Sequence, residues 1–160
     1  MSVIQYRPIG VIHSPFKDIA GMPIQPSGAD GIRGTVEVWP EFAQGLQDLD
    51  GFSHILLLYH FHRVMGAKLL VKPFMDTEHR GVFSTRAPKR PNPIGLSCVR
   101  LLGIERATLQ VANVDVLDGT PLLDIKPYVP EFDPHPVERL GWLEQARGVV
   151  RDKRSDDRFQ

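Results

Sequence analysis

Cysteine is almost absent, with Cys98 the only one in 160 residues. That excludes an intrachain disulfide and any zinc site built from several thiolates, and it fits a reducing compartment. Net charge is missing too, since 19 Lys and Arg stand against 19 Asp and Glu. A nucleic-acid partner would therefore have to be met by a local basic patch and not by a general cationic field. No apolar run approaches membrane-spanning length, the best being Ile55 to Leu58. The opening M-S-V-I-Q-Y-R-P lacks the basic and apolar regions of a secretory leader, so a soluble, cytoplasmic protein is expected. Also lacking are G-x-G-x-x-G, G-x-x-x-x-G-K-[ST], H-E-x-x-H and paired C-x-x-C, which removes the common nucleotide and metal motifs. No internal repeat or low-complexity segment occurs.

What is present centres on Arg80 to Ser97, R-G-V-F-S-T-R-A-P-K-R-P-N-P-I-G-L-S. Val82 to Thr85 and Leu96 to Leu102 have the composition of strands. Between them, Arg86, Lys89 and Arg90 are set among Pro88, Pro91 and Pro93, whose fixed φ angles hold the connection near extended geometry. A rigid basic loop presents guanidinium groups at fixed positions, as recognition of a phosphate, a carboxylate or a base requires.

The rest of the chain reads mainly as short strands. Tyr6 to His13 is a strand kinked or placed at an edge by Pro8 and Gly10, and Phe16 to Gly31 is a long loop. Arg33 to Trp39 alternates as a half-buried strand. Pro40 opens a helix with Phe42, Leu46 and Leu49 on one face, closed by Gly51. His54 to Phe61, apolar at nearly every position, predicts a central strand covered on both faces. Lys68 to Phe74 can be a further strand. Val99 to Leu102 and Leu109 to Val116 predict an antiparallel hairpin with a break near Asn113, and Leu122 to Ile125 a short strand stopped by Pro127. Such a pattern favours a single-domain barrel or sandwich over a doubly wound sheet. The expected organisation is a β domain over residues 1–136, a short helix over 137–150 and a charged, frayed tail over 151–160.

Several residues carry candidate chemistry. Arg86 either pairs with an acidic neighbour such as Glu78 or forks onto a carboxylate or phosphate. Lys89 and Arg90 are either contacts to an RNA backbone or solubility charges. His60 and His62 share a strand face and can in principle chelate, but no third ligand has evident spacing and no metal is expected. Asp124, Lys126 and Tyr128 alternate on one face, either as a satisfied ion pair or as substrate-binding groups.

The string G-V-F-S-T-R-A-P-K-R-P-N-P-I-G-L-S closely resembles the signature of the TrmO (TsaA-like) family. P-I-G-V-I-H-S-P-F-K at Pro8 to Lys17, F-S-H at Phe52 to His54 with Phe61 and His62, and D-G-T-P-L-L-D-I-K-P-Y at Asp118 to Tyr128 follow the family in the same order. The resemblance covers most of the chain up to about Pro130. It implies a β-barrel with one or two short helices that uses S-adenosylmethionine as methyl donor. Its implied activity is methylation of N6-threonylcarbamoyladenosine beside the tRNA anticodon by a homodimer.

By the same resemblance, the cofactor is contacted by Gln25, Pro26, Ser27, His62, Arg63, Arg86, Leu96 and the turn Asp118, Gly119, Thr120 and Pro121. The backbone of that turn would read the adenine edge. The RNA would meet Lys89, Arg90 and Lys126. Because the modified N6 is a poor nucleophile, Asp124, Tyr128 or His62 is expected to assist loss of its proton. The chain ends soon after the last block, where longer relatives continue into a further domain, so it reads as a short form.

Overall fold

Alternation along the strands sets the architecture, seen in a computed structural model that describes residues 1–132, 135–146, 153–156, 158 and 159. In β3 (His54–His60), Ile55, Leu57 and Tyr59 are buried, whereas Leu56 and Leu58 on the opposite face are only half-buried. This corrects the expectation of a strand covered on both faces: one face lines a closed barrel and the other looks outward. The same alternation places Ile12 of β1 (Gly10–His13), Val36 and Val38 of β2 (Arg33–Val38), and Val99 and Leu101 of β6 (Ile94–Glu105) inside. Leu109 and Val111 of β7 (Thr108–Ala112) and Leu122 of β8 (Thr120–Pro127) complete the interior.

The strands close in the order β1, β2, β7, β6, β3, β8, every pair antiparallel. Closure leaves no free sheet edge, and the interior is filled by branched side chains. The hairpin from β6 to β7 forms as its pattern predicts, with Asn113 at φ 65° ending β7.

Three local expectations are overturned. Pro40–Leu46 and Leu49–Gly51 are two 3-10 turns, not one α-helix, because Gly45 lies inside the segment and Asp48 takes a left-handed φ of 67° that splits it. Phe42, Leu46 and Leu49 still pack on the core, so the apolar face was read correctly and the helix type was not. Val82–Ser84 is also a 3-10 turn, and Lys68 to Phe74 yields only the two-residue β4 (Leu70–Val71), paired with β5 (Arg80–Gly81).

Toward the C terminus, Gly141–Ala146 forms a 3-10 turn within the segment expected to be helical, while 147–150 lie outside the described residues. The described part of the tail does not fray. Ser155 bonds to Gly21, Met22 and Ile19, Arg154 bridges Pro23, and Phe159 is buried against Val71, Val82 and Phe74. An edge-on contact of 5.2 Å between Phe159 and Phe74 anchors this small second cluster, which explains why a charged segment is held.

Candidate functional site

At one mouth of the barrel β1, β3 and β7 finish and β2, β6 and β8 begin, while the 39–53 connection with its two 3-10 turns lies at the other. At the first mouth, loops 14–32, 61–93 and 113–119 enclose a cavity of about 730 Å³. Its wall is mainly apolar, with Phe61, Met75, Phe83 and Leu117 among the lining side chains, and Trp142 and Leu143 close one side. That size and character are those of a small-molecule site.

The proline-rich loop is built around Arg90. Its Nη1 donates to the carbonyls of Thr85 and Ala87, both at 3.0 Å, and of Val82 at 3.4 Å. The three carbonyls converge only because Val82–Ser84 turns tightly, which is why a segment with strand composition is not a strand. Trp142 Nε1 donates to Ser84 O at 2.8 Å and ties the C-terminal segment to the same turn. Held in this way, Arg86 reaches Gln25 across the cavity, donating from Nη1 to Oε1 at 2.8 Å. The alternative partner Glu78 is not the one used.

On the opposite wall, Asp115 lies between the buried Val114 and Val116 and lines the cavity. Ser97 Oγ donates to Asp115 Oδ1 at 2.6 Å, and Tyr59 Oη lies 2.9 Å from Ser97 Oγ. Since the serine proton is committed to the carboxylate, the phenol is the donor in that second bond. Burial, and after it the Asp115 charge, pushes the Tyr59 phenol well above its ordinary value, so it remains a donor. Burial pushes Asp115 up to about 7, against the opposing effects of the Ser97 bond and Arg86.

His62 lies at the rim with Nδ1 3.4 Å from Thr120 Oγ1, whose own proton goes to Leu117 O at 2.6 Å. Burial, then the charges of Arg63 and His60, lowers its pKa. A neutral ring with Nδ1 as donor leaves Nε2 as an acceptor. His60 ends β3 and His62 follows in the turn, so the two do not share a strand face, and no group of three metal-capable side chains occurs among the described residues.

Of the sequence-predicted residues, the cavity gathers Gln25, His62, Arg63, Arg86, Arg90, Leu96 and Thr120. Pro26 and Ser27 follow Gln25 in the 3-10 turn Pro26–Gly28. Asp118 serves the frame: its carboxylate accepts from Ser14 N at 3.0 Å and Lys17 Nζ at 2.6 Å, with His13 Nδ1 at 3.4 Å. The amides of Asp118 and Gly119 bond to Phe16 O and Ile12 O, so they are not available to read a base, and Pro121 pairs with Val11 within the barrel. The bond to Ile12 continues the pairing of β1 with β8 by one residue, and the bond to Phe16 ties the turn to loop 14–32.

Asp124, Lys126 and Tyr128 are not among the lining residues. Asp124 and Lys126 stand opposite Leu58 and Leu56 on the outer face of β8, joined as an exposed ion pair of 3.0 Å, and Tyr128 beyond them is 39% exposed. Arg90 is a staple within its loop, and Lys89 contributes its carbonyl to Lys68 N at 3.2 Å. The residues that sequence reasoning passed over are Tyr59, Ser97 and Asp115. Tyr59 and Ser97 signal themselves only by polarity at positions where alternation calls for an apolar residue, and Asp115, between Val114 and Val116, gives no such signal.

Residues 11–134 match the family described as the tRNA-methyltransferase O N-terminal domain. A protein of Pyrococcus abyssi named "Probable S-adenosyl-L-methionine-binding protein" is 58% identical over 157 residues, covering 98% of this chain and 85% of its own. The tRNA (adenine(37)-N6)-methyltransferase of Escherichia coli is 35% identical over 156 residues, covering 91% of this chain and 66% of its own. The crystal structure of TrmO from Pseudomonas aeruginosa superposes with a TM-score of 0.74 at 41% identity, over 88% of this chain and 63% of that one. The chain therefore spans just under two thirds of the length of these last two proteins.

Proposed function

The chain belongs to the tRNA-methyltransferase O N-terminal-domain family, and we propose that it transfers a methyl group from S-adenosylmethionine to N6 of adenosine 37 in tRNA, in its threonylcarbamoyl form. The observation that carries this reading is the pairing, in one apolar cavity, of a guanidinium fixed by Gln25 with a largely buried carboxyl group. S-adenosylmethionine, when bound, supplies a methyl made electrophilic by its sulfonium. The residues present fit it. Arg86 is placed to fork onto its carboxylate, Leu96 and Phe61 offer apolar surface, and His62 and Arg63 supply polar groups at the rim, with the buried Thr120 behind His62.

Transfer of a methyl from sulfur is an in-line displacement, so the chain's work is to hold two partners collinear and to exclude water. The fixed proline loop and the segment around Trp142 serve both ends. In this reading Asp118 and Gly119 frame the site, Pro26 and Ser27 sit beside Gln25 at the cofactor, and Lys89 and Lys126 meet RNA. A homodimer fits the outward face of β3, where Leu56 and Leu58 are only half-buried. Among the described residues no helix is long and apolar enough to cross a membrane, and the reaction belongs with tRNA in the cytoplasm.

A second reading is an S-adenosylmethionine-binding module without turnover, in keeping with the Pyrococcus relative, which is described as an S-adenosyl-L-methionine-binding protein. Calorimetric titration of S-adenosylmethionine into wild type and Arg86→Ala, followed by methyl transfer to threonylcarbamoylated tRNA, separates the two. Binding near micromolar, about −8 kcal/mol, lost in Arg86→Ala and accompanied by transfer, supports the enzyme. Binding with no transfer supports the module, and absence of binding by folded wild type overturns both.

A further inference from the structure

Methyl transfer to an amide-like nitrogen needs somewhere for the N6 proton to go. Among the described residues lining the cavity, Asp115 is the one carboxyl and His62 the one imidazole, while Asp124 and Tyr128 lie outside it. His62 is at the rim. Asp115 is set deeper, with Oδ1 held by Ser97 and the serine held by Tyr59, so the carboxyl group is fixed in direction before any ligand arrives. A structural carboxylate gains nothing from being placed against an apolar cavity, and its burial is a cost that an asparagine of the same shape would avoid.

We propose that Asp115 is the catalytic proton acceptor of the transfer, with Ser97 and Tyr59 as positioning residues that aim it. The proposal rests on the methyl-transfer reading above. As the N6 lone pair bonds to the methyl carbon, the carbon–sulfur bonding pair stays on sulfur, which becomes a neutral thioether. The N6 proton passes to the Asp115 carboxylate, leaving the methylated nitrogen neutral and Asp115 a carboxylic acid that returns its proton to solvent. An acceptor half-ionised near neutrality suits this cycle, and burial places Asp115 there at about 7. The charged and titratable groups that act on it are Arg86 from the proline loop and Tyr59 from β3, with His62 on the same cavity.

The test uses the full chain. Asp115→Asn keeps the shape and the acceptor for Ser97, so S-adenosylmethionine affinity should stay within about threefold while transfer to threonylcarbamoylated tRNA falls about 100-fold or more. In the apo protein, an NMR titration of carbon-13-labelled aspartate should find one side chain, absent from Asp115→Asn, with a midpoint near 7. Ser97→Ala removes a bond that favours the ionised form, so both this midpoint and the acidic limb of the rate profile should move to higher pH. Transfer by Asp115→Asn at the wild-type rate, or an ordinary carboxylate midpoint for Asp115, overturns the assignment and leaves the methyltransferase reading standing. Wild type that binds the donor but transfers nothing overturns that reading and this assignment together.

Discussion

Gly95 and Tyr59 stand opposite one another on β6 and β3, and the tyrosine ring lies over the glycine so closely that a Cβ there would be 2.2 Å from Cε2. A glycine in a strand interior weakens it unless something needs the space. Here the space goes to the ring whose hydroxyl reaches Ser97. Gly95→Ala cannot be absorbed unless that ring moves, so overpacking should cost about 1–3 kcal/mol and break the Tyr59 to Ser97 contact. A thermal melt alongside the aspartate titration checks both. An unchanged melting temperature with an unmoved Asp115 midpoint would show that the ring has another place to go.

Asp115→Asn should make the protein more stable at pH 8 while lowering transfer about 100-fold or more. The folded pKa of Asp115, about 7, lies above the unfolded value of about 3.9. A raised pKa means stability that is fully present below pH 4 and is lost as pH rises toward and through 7. The variant has no charge to bury and escapes that loss. Melting curves at pH 4, 6 and 8 should show the variant gaining on wild type with increasing pH, the trade of stability for function expected at an active site. A variant less stable at every pH would assign the carboxyl a structural role.

At Asp118 the sign is opposite. The hydrogen bond from Lys17, with help from the Ser14 amide and the charges of Lys17 and His13, holds its carboxyl below the ordinary range. Stability from this group is present above pH 4 and is lost as pH falls through its lower folded pKa. Asp118→Asn should therefore destabilise at pH 7 by about 1 kcal/mol, the scale of a partly exposed pair, with the difference closing toward pH 3. Because the carboxylate ties loop 14–32 to the β7–β8 connection, donor affinity should weaken with it, by much less than in Arg86→Ala.

The strands were partly legible because they alternate: Val36 and Val38, and Leu109 and Val111, mark inner faces with period two. The continuous apolar run of β3 hid the inner face of Ile55, Leu57 and Tyr59, and the choice of a barrel over a sandwich came from the family resemblance. The turns were less so. Phe42, Leu46 and Leu49 carry a helical spacing that a pair of 3-10 turns meets equally well, and nothing local to Val82–Thr85 announces that Arg90 will draw its carbonyls together. The loop residues of the site, Gln25 and Arg86 above all, came from motif resemblance, which places residues on one surface without saying which of them touch. Asp115 was hidden for another reason. Set between Val114 and Val116, it reads as the outward position of an ordinary strand, and only the folding of loop 113–119 over the mouth turns that position into a cavity wall.

Arg90 offers a test that separates an RNA contact from a staple. A guanidinium on a phosphate contributes through counterion release, so its removal would weaken tRNA binding, flatten the salt dependence by about one unit and leave the apo protein unchanged. A guanidinium feeding the carbonyls of Val82, Thr85 and Ala87 contributes to the loop itself. Its loss leaves partly buried acceptors unpaired, at about 1–3 kcal/mol. The loop that carries Arg86 should then loosen, so Arg90→Ala should lower the melting temperature, speed proteolytic cleavage between residues 82 and 93 and weaken donor binding in the absence of any RNA. Arg90→Lys should recover little, because a single ammonium cannot match the fork of a guanidinium among carbonyls set at this spacing. An Arg90→Ala protein with wild-type stability and donor affinity but weaker tRNA binding would return Arg90 to the RNA surface.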